Sequence, residues 1–300
     1  MNASTDNNPT LKHWVILVSL ALVWGFSFLF IKRGLIAYSP FEVSAIRMSV
    51  AFIAFLPFAI VKFKKILMRD IWKFAIVGYF SSGIPSVLFP TAQQHISSTV
   101  AGILNSLTPL FTLLIGIFFF RNSAQKHKVI GVLIGFVGAI ILIYFNNNSS
   151  FSGNFFFALL IIFATACYGI NVNYIQNKMA QYDSLTISAI SYMTTGIPAF
   201  IYLFGYSDFT TKLTTHPSGF SSFLYLFFLA ILGTCIASYA FNKLLQATSG
   251  LWASTVTYLM PIFSTMIGLY DGEMIAWYHI AGMFLILCGV YLTSVKKIAL

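Results

Sequence analysis

The chain has 300 residues, of which 58% are hydrophobic and 8% are charged, and its formal net charge is +10. A soluble domain carries about 25% charged residues, so this chain has too little polar surface to cover a water-soluble globule. Its basic residues lie at the ends of apolar runs rather than along one face, which favours lipid headgroups over nucleic acid as their partner. Composition therefore predicts an all-α, multi-pass membrane protein without a nucleic-acid role.

The polar N-terminus lacks a basic segment and a small-residue cleavage site, so we expect no cleaved signal peptide. Residues 1–13 are interpreted as one cytoplasmic terminus and residues 296–300 as the other. Cys167, Cys235 and Cys288 lie inside apolar runs, with neither a CxxC pair nor a His cluster beside them. This pattern indicates small buried side chains rather than a metal or redox site, and no cofactor is expected.

A helix needs about 20 apolar residues to cross the hydrocarbon layer, and ten such runs, joined by short connections, follow one another along the chain. A polar stretch after the fifth run marks the middle of the chain. We therefore predict two five-helix units, residues 14–146 and 154–295. The predicted spans are 14–34, 41–61, 71–92, 98–120, 128–146, 154–176, 184–205, 220–244, 250–270 and 275–295.

Lysine and arginine set the expected orientation, because the cytoplasmic loops of membrane proteins carry an excess of both. With the N-terminus inside, the outer loops hold Lys32, Arg33 and Lys212. Both termini are therefore expected in the cytoplasm, with the protein in the cytoplasmic (inner) membrane. The basic residues of the predicted inner face are Lys12, Lys62, Lys64, Lys65, Arg69, Lys73, Arg121, Lys126, Lys128, Lys178, Lys296 and Lys297.

The segment STVAGILNSLTPLFT, which begins at residue 98, returns in altered form as GLWASTVTYLMPIFS from residue 250. Aligning Pro109 with Pro261 also places Asn105 on Thr257. Repeats within an apolar chain are typical of transporters, whose solute site tends to lie between the two copies.

Each predicted unit contains an odd number of spans, so the second unit enters the membrane from the opposite side to the first. This count predicts two inverted five-helix repeats, related by a pseudo-two-fold axis in the membrane plane. One residue pair supports the inversion. Arg121 follows the fourth span on the expected cytoplasmic face, whereas Glu273 takes the aligned place after the ninth span on the outer face.

Small and polar residues recur every three or four positions along spans four and nine, including Asn105 and Thr257. Two interpretations stay open: tight helix packing, or a cavity wall in which both side chains hydrogen-bond a solute. Pro109 and Pro261 each remove a backbone hydrogen bond and are expected to kink their helices, as is Pro85. Groups freed in this way need partners in hydrocarbon, so these faces are expected to look inward.

Spans three and eight are interrupted by small and polar residues, and interruptions at matching positions of two halves indicate a binding site. Spans one and six share an aromatic residue, a glycine and a polar residue at the same offsets. That pattern suits either a packing notch or an aromatic and polar cavity wall. The predicted solute contacts are Trp24, Ser27, Ser82, Asn105, Tyr168, Asn171, Ser238, Asn242, Thr257 and Tyr258.

Charged side chains within spans are rare, because each costs about 2.5–3.5 kcal/mol at the helix centre on insertion scales. Arg47 lies about six residues into span two. Its side chain is expected either to snorkel outward, towards Glu42, or to hold an anionic group. No acidic residue lies in the middle third of a predicted span, which argues against ion coupling through an intramembrane carboxylate.

The ordered motifs of the chain resemble those of the EamA branch of the drug/metabolite transporter superfamily. In the first half the resemblance rests on Trp24-Gly-Phe-Ser27, on Arg47 and on the segment Gln94–Pro109. Gly131 and Gly138 continue it, although Arg121 stands where the family usually has Glu.

In the second half, the segment Gln246–Pro261 and the pair Gly272-Glu273, followed by Gly282 and Gly289, carry the same resemblance. It implies a ten-helix transporter with two inverted five-helix repeats. Spans one, three, four, six, eight and nine would line a central cavity, with spans five and ten at the periphery.

The leading hypothesis is a secondary transporter that moves a small organic metabolite, such as an amino acid or a related solute, outward by alternating access. It would act as a monomer or homodimer, with the bilayer and the solute as its partners. The alternative is a membrane scaffold or lipid-handling helix bundle without solute transport. An enzyme is not expected, because HExxH, GxSxG, P-loop and GxGxxG motifs are absent.

Overall fold

A computed structural model describes residues 10–64, 66–120, 126–145 and 151–294. Within these ranges the chain is helical and forms no strand. The helices are α1 (Leu11–Gly34), α2 (Pro40–Phe63), α3 (Ile71–Gly78), α4 (Ile84–Gln93), α5 (Ser98–Asn105), α6 (Thr108–Phe120), α7 (Lys126–Phe145), α8 (Phe151–Lys178), α9 (Ser184–Gly205), α10 (Phe209–Thr215), α11 (Gly219–Phe228), α12 (Ala237–Ala247), α13 (Gly250–Ser254), α14 (Val256–Tyr270) and α15 (Trp277–Ser294).

Seven helical segments of the described chain are long and apolar enough to cross a membrane. Two shorter apolar helices lie within α7 and α15, and the predicted span 250–270 is divided into α13 and α14. The prediction of an all-helical membrane protein is therefore confirmed. The number of ten spans stays a prediction. The seven segments are Leu11–Gly34, Pro40–Phe63, Met68–Gln93, Ser98–Phe120, Phe155–Lys178, Ser184–Gly205 and Gly219–Ala247.

The third and eighth predicted spans are both interrupted by π-helix, at Tyr79–Gly83 between α3 and α4 and at Leu229–Ile236 between α11 and α12. A π segment widens the helix locally and disturbs its backbone hydrogen bonds, and it occurs frequently at functional sites. One carbonyl of the second π segment, that of Gly233, accepts a hydrogen bond of 2.9 Å from the Trp24 indole N–H.

The two proline-containing spans are broken close to their prolines. Proline has no N–H, so Pro109 leaves the Asn105 carbonyl without its helical donor and Pro261 does the same to Thr257. The Thr108 hydroxyl donates to the Asn105 carbonyl at 2.8 Å. The Thr257 carbonyl accepts from the Ser106 hydroxyl at 2.9 Å, so a side chain of the first half completes a helix of the second.

The breaks do not all fall at the predicted hinges. Span four breaks between α5 and α6, directly before Pro109, but span nine breaks at Thr255 while α14 continues through Pro261. Pro85 is the second residue of α4 and follows the π segment. The hydroxyl contact from Ser106 explains why α14 tolerates its internal proline.

Helices of one half pack mainly against helices of the other. The contacts α2–α9, α5–α14 and α7–α15 each join equivalent spans of the two halves. The contact between α1 and α14 (spans one and nine) corresponds to the contact between α8 and α6 (spans six and four). In the same way, the contact between α1 and α12 (spans one and eight) corresponds to the contact between α8 and α4 (spans six and three). Packing of this kind is what a pseudo-two-fold relation between the halves requires.

Glycines mark the closest of these approaches. A methyl group on Gly25 would lie 2.6 Å from Cβ of Phe263, and one on Gly169 would lie 2.9 Å from the Thr112 backbone nitrogen. These contacts are equivalent in the two halves and identify both glycines as packing notches. Gly272 has a different role, because its φ of 84° lies in the left-handed region that favours glycine.

The polarity of the bundle suits lipid rather than water. Large apolar side chains are exposed along its outside, such as Phe118, Phe119 and Phe284. Polar side chains such as Asn105 and Thr165 are buried within it. Since lipid offers no hydrogen bonds, a spanning chain places its polar groups towards its own interior.

We expect Gly138→Ala to destabilise the protein by about 1–3 kcal/mol, the usual cost of overpacking. The added methyl group would lie 2.8 Å from Cβ of Leu285 and 2.9 Å from the Gly282 carbonyl oxygen, at the α7–α15 contact. Thermal unfolding of the purified protein measures the effect. Gly205→Ala is the matched control, since nothing lies within 4 Å of its methyl position. Equal melting temperatures for the two variants would contradict the packing role of Gly138.

Candidate functional site

A cavity of about 140 Å³ lies between the two halves of the bundle. All but one of the predicted solute contacts line it, and Arg47 does so as well. Solute contact itself stays a prediction for each of these residues. The predicted residues on the cavity are Trp24, Ser27, Ser82, Asn105, Tyr168, Asn171, Ser238, Asn242 and Thr257.

Tyr258 was wrongly predicted to line the cavity. Its hydroxyl donates to the Val290 carbonyl of α15 at 2.9 Å, so the ring packs between spans nine and ten. Successive helical residues point about 100° apart. Thr257 and Tyr258 therefore face different neighbours, and Thr257 alone of the two lines the cavity.

Arg47 does not snorkel towards Glu42. Its Nη2 lies 3.4 Å from the Thr234 hydroxyl on the cavity wall, and its buried Nε has no hydrogen-bond partner within the described ranges. Glu42 is held elsewhere: its carboxylate accepts from Lys212 at 2.7 Å and from the Ser39 backbone N–H at 2.7 Å. The capping of α2 and the ion pair with Lys212 thus occupy the carboxylate towards which Arg47 was expected to extend.

A chain of three hydroxyls crosses the cavity wall. The Tyr192 hydroxyl lies 2.7 Å from the Ser82 hydroxyl and 2.7 Å from that of Ser238. The two serines belong to spans three and eight, in or next to the π segments, and Tyr192 belongs to α9. One phenol from span seven therefore links the two interrupted spans.

Aromatic rings form the apolar part of the wall. Trp24 meets Phe241 edge to face with 5.4 Å between ring centroids, and Phe89 stacks on Tyr168 at 6.2 Å. Such rings present flat apolar surface, while the Trp24 N–H is already used by the Gly233 carbonyl. These rings suit the hydrocarbon part of an organic solute.

Two buried amides leave hydrogen-bonding capacity in the cavity. The side-chain nitrogen of Asn105 donates to the Met260 sulfur at 3.4 Å. The side-chain oxygens of Asn105 and Asn171 have no partner among the described residues. A buried acceptor without a donor costs about 1–3 kcal/mol, so a hydrogen bond to either oxygen would be stabilising.

Span seven was missed as part of the wall, and from span two only Arg47 was considered, as an anion contact in one of its two alternatives. The family resemblance implied a lining by six other spans, yet Arg47 comes from α2 and three residues come from α9. The polar stripe of α9, with Ser188, Ser191 and Tyr192 on one helix face, was the available signal. Asn242, predicted as a solute contact, donates to the Ser188 hydroxyl at 2.9 Å.

The described wall of the cavity carries hydroxyls, amides, aromatic rings and a guanidinium. In the described part of the chain no three His, Cys, Asp or Glu residues come together as a metal site. Cys167 and Cys235 are buried thiols within the bundle. Arg121, which was paired with Glu273 in the repeat alignment, lies outside the described residues.

Comparison with known proteins agrees with this architecture. A solved crystal structure superposes with a TM-score of 0.67 over 94% of this chain and 96% of its own, at 17% sequence identity. An uncharacterized transporter of Archaeoglobus fulgidus is 24% identical across 96% of this chain and 100% of its own length. The uncharacterized inner membrane transporter YedA of Escherichia coli is 25% identical across 94% of this chain and 90% of its own.

The model of the EamA-like transporter family matches the chain twice, over residues 12–144 and 155–295. Together these matches cover nearly the whole sequence, one in each half. With the helical bundle and its internal polar cavity, they identify the chain as a membrane transporter protein that belongs to the EamA-like transporter family.

Proposed function

We propose that this protein is a secondary transporter that moves small organic metabolites, such as amino acids or related solutes, outward across the cytoplasmic membrane. The carrying observation is the cavity between the halves, which combines unsatisfied polar groups with aromatic rings. A scaffold would have no use for buried hydrogen-bonding groups without partners, because each destabilises the fold. A helix bundle without an internal cavity would have favoured the alternative of a membrane scaffold.

Alternating access requires two halves that rock about a shared site. The equivalent helix contacts of the two halves support such a motion, because each half packs against the other through the same set of spans. We propose ten spans in two inverted repeats, with both termini in the cytoplasm. In this orientation the loop that contains Glu273 faces outside, and the one that contains Asp183 faces the cytoplasm.

At the proposed outer end, ion pairs join the two halves. Lys32 of α1 lies 2.5 Å from the Asp271 carboxylate and 3.4 Å from that of Glu273, and Arg33 pairs with Asp271 as well. Both carboxylates are less than 10% exposed, at 7% and 8%. The cations Lys32 and Arg33 are 40% and 41% exposed, so these pairs are partly buried, and solvent screens them less than it screens fully exposed pairs. The cluster therefore helps to hold α1 to the loop after α14.

Glu273 also caps span four. Its carboxylate accepts from the Ser98 N–H at 2.9 Å and from the Thr99 N–H and hydroxyl at 3.0 and 2.7 Å. Burial alone would raise the pKa of Glu273, but these hydrogen bonds and the charge of Lys32 hold that pKa below its ordinary value. A residue of the second repeat thereby fixes the start of a helix of the first.

At the proposed inner end the ion pair between the two halves is more exposed. Asp183 caps α9 and lies 3.0 Å from Lys62, but its side chain is 55% exposed. Burial opposes ionisation of Asp183, yet hydrogen bonds from Thr186 and Lys62 lower its pKa to about 2. Exposed pairs contribute about 0–1 kcal/mol. Opening at the inner end therefore separates this exposed ion pair and the buried hydrogen bond of 2.8 Å from the Tyr182 hydroxyl to Asp70, whereas opening at the outer end, where the solute would leave, separates the ion-pair cluster.

Asn105→Ala and Thr257→Ala should each lower the initial rate of solute flux into or out of proteoliposomes by up to about tenfold. A lost hydrogen bond of about 1.5 kcal/mol corresponds to that factor. The matched controls are Asn177→Ala, at an amide that bonds its own helix, and Thr255→Ala, at the break in span nine. Neither control residue lines the cavity. Unchanged flux in both cavity variants, with normal yield of folded protein, would refute the proposed site.

Glu273→Gln should lower the free energy of unfolding by about 1.5–3 kcal/mol at neutral pH, the typical value of a hydrogen bond to a charged group. Because the folded-state pKa of Glu273 is depressed, its stabilisation is present above the ordinary value of 4.5 and is lost as pH falls through the lower folded value. The gap in melting temperature between wild type and variant should therefore shrink in acid. Thermal unfolding across this pH range tests it.

Asp208→Asn provides the control for this measurement, since Asp208 is an exposed carboxylate at the same end of the bundle. The melting temperature of Asp208→Asn should match that of the wild type at neutral pH and in acid. A gap for Glu273→Gln that stayed constant with pH would show that the ionised carboxylate does not stabilise the outer end.

A further inference from the structure

We propose that the solute is an organic monoanion: a carboxylate that carries neutral N–H donors and an apolar body, and that lacks an ammonium group. This inference rests on the proposed function and narrows its substrate class, because it excludes free amino acids, which are zwitterions, and keeps their anionic relatives. It comes from the charge balance of the cavity and from which hydrogen-bonding groups remain free.

The charge of Arg47 has no counterion within the described ranges. Arg47 is the one charged side chain among the described residues that line the cavity. The buried carboxylates of the described chain are used elsewhere, Glu42 by Lys212, Asp70 by Lys73, and Asp271 and Glu273 by Lys32. A guanidinium in a low-dielectric interior requires a negative partner, and a bound anion supplies one.

The free edge of the guanidinium defines the shape of that anion. Nε has no partner in the described chain, and Nη2, on the same edge, has one long contact of 3.4 Å to Thr234. Two parallel N–H groups on one edge match the two oxygens of a carboxylate. A carboxylate that reached this edge would satisfy both N–H groups in the bidentate geometry that arginine prefers.

The oxygens of Asn105 and Asn171 define the second feature, since both lack a donor. They accept hydrogen bonds from N–H groups, and either an amide or an ammonium provides these. Charge separates the two possibilities. With Arg47, a monoanion makes the loaded cavity neutral, a zwitterion leaves one positive charge and a cation leaves two. Because none of the described residues on the wall is a carboxylate, the neutral N–H donor is favoured.

The rings complete the recognition. Trp24 with Phe241 and Phe89 with Tyr168 offer apolar surface and no free charge. They pack against the hydrocarbon body of the acid, while its carboxylate lies at Arg47. An N-acylated amino acid combines all three features in one compact molecule.

Four compounds with one leucine skeleton test the inference: N-acetyl-leucine (anion), leucine (zwitterion), N-acetyl-leucinamide (neutral) and leucinamide (cation). Binding to the purified full chain is measured by titration calorimetry and by the ligand-induced rise in melting temperature. We expect N-acetyl-leucine to bind at least tenfold more tightly than each of the other three. Arg47→Gln should remove this preference, Arg47→Lys should retain it in part, and Arg33→Gln, at the outer end, should leave it unchanged.

Folding of the Arg47→Gln variant is checked by its melting temperature in the absence of ligand. Removing an uncompensated buried charge should leave the melting temperature of Arg47→Gln equal to or above that of the wild type. A lower melting temperature would mean that the guanidinium is a structural group with a partner inside the protein, and it would overturn the inference. So would preferred binding of leucine or leucinamide, equal binding of all four compounds, or no binding of N-acetyl-leucine. An Arg47-dependent rise in melting temperature with chloride alone would assign the guanidinium to an inorganic anion instead.

Counterflow in proteoliposomes separates this inference from the proposed function. Arg47-dependent binding of N-acetyl-leucine without its movement across the membrane would support the ligand class and refute transport. Movement of leucine without movement of N-acetyl-leucine would support transport and refute the ligand class.

Discussion

The structure depends on one constraint: inside a bilayer, every backbone polar group needs a partner within the protein. This chain interrupts several of its spans and then satisfies the freed groups from neighbouring helices. The Ser106 hydroxyl reaches the carbonyl that Pro261 leaves open at Thr257, and the Trp24 indole reaches the Gly233 carbonyl in a π segment. Each of these bonds joins one half of the chain to the other. The irregular backbone that surrounds the cavity is thus also what holds the two halves in register.

Charged side chains in the bundle face the same need for partners within the protein. At the proposed outer end, carboxylates and cations of the two halves neutralise one another, and Glu273 completes the first turn of α5 as well. In the middle of the bundle, Arg47 has no such partner within the described chain. A transporter gains from this contrast, because groups that are paired fix the frame while groups that are unpaired bind the solute. The asymmetry between Asn105 and Thr257, at aligned places of the two repeats, gives an otherwise symmetric frame an asymmetric cavity.

Most of the predicted solute contacts could be placed on the cavity from sequence, because helical periodicity and the repeat alignment show which residues share an inward face. The placement of Tyr258 on the cavity was wrong, because a residue next to Thr257 in sequence points in a different direction from the helix. For Arg47 the sequence left two alternatives, snorkelling towards Glu42 or holding an anionic group. The structure shows that Glu42 is instead bound by Lys212 and by the cap of α2. Tyr192 was overlooked because spans two and seven carry no interrupted motif, although α9 brings a polar stripe to the wall.

The sequence by itself determined the membrane environment, the helical class, the duplication and the family resemblance, because each depends on composition or on regular spacing along the chain. Tertiary structure decided which helices meet, where the helix breaks fall and which polar groups stay unsatisfied. Span nine breaks at Thr255 rather than at Pro261, since a hydroxyl from the other half repairs the proline site. The free edge of Arg47 likewise results from distances between residues far apart in the chain, and no local pattern encodes such distances.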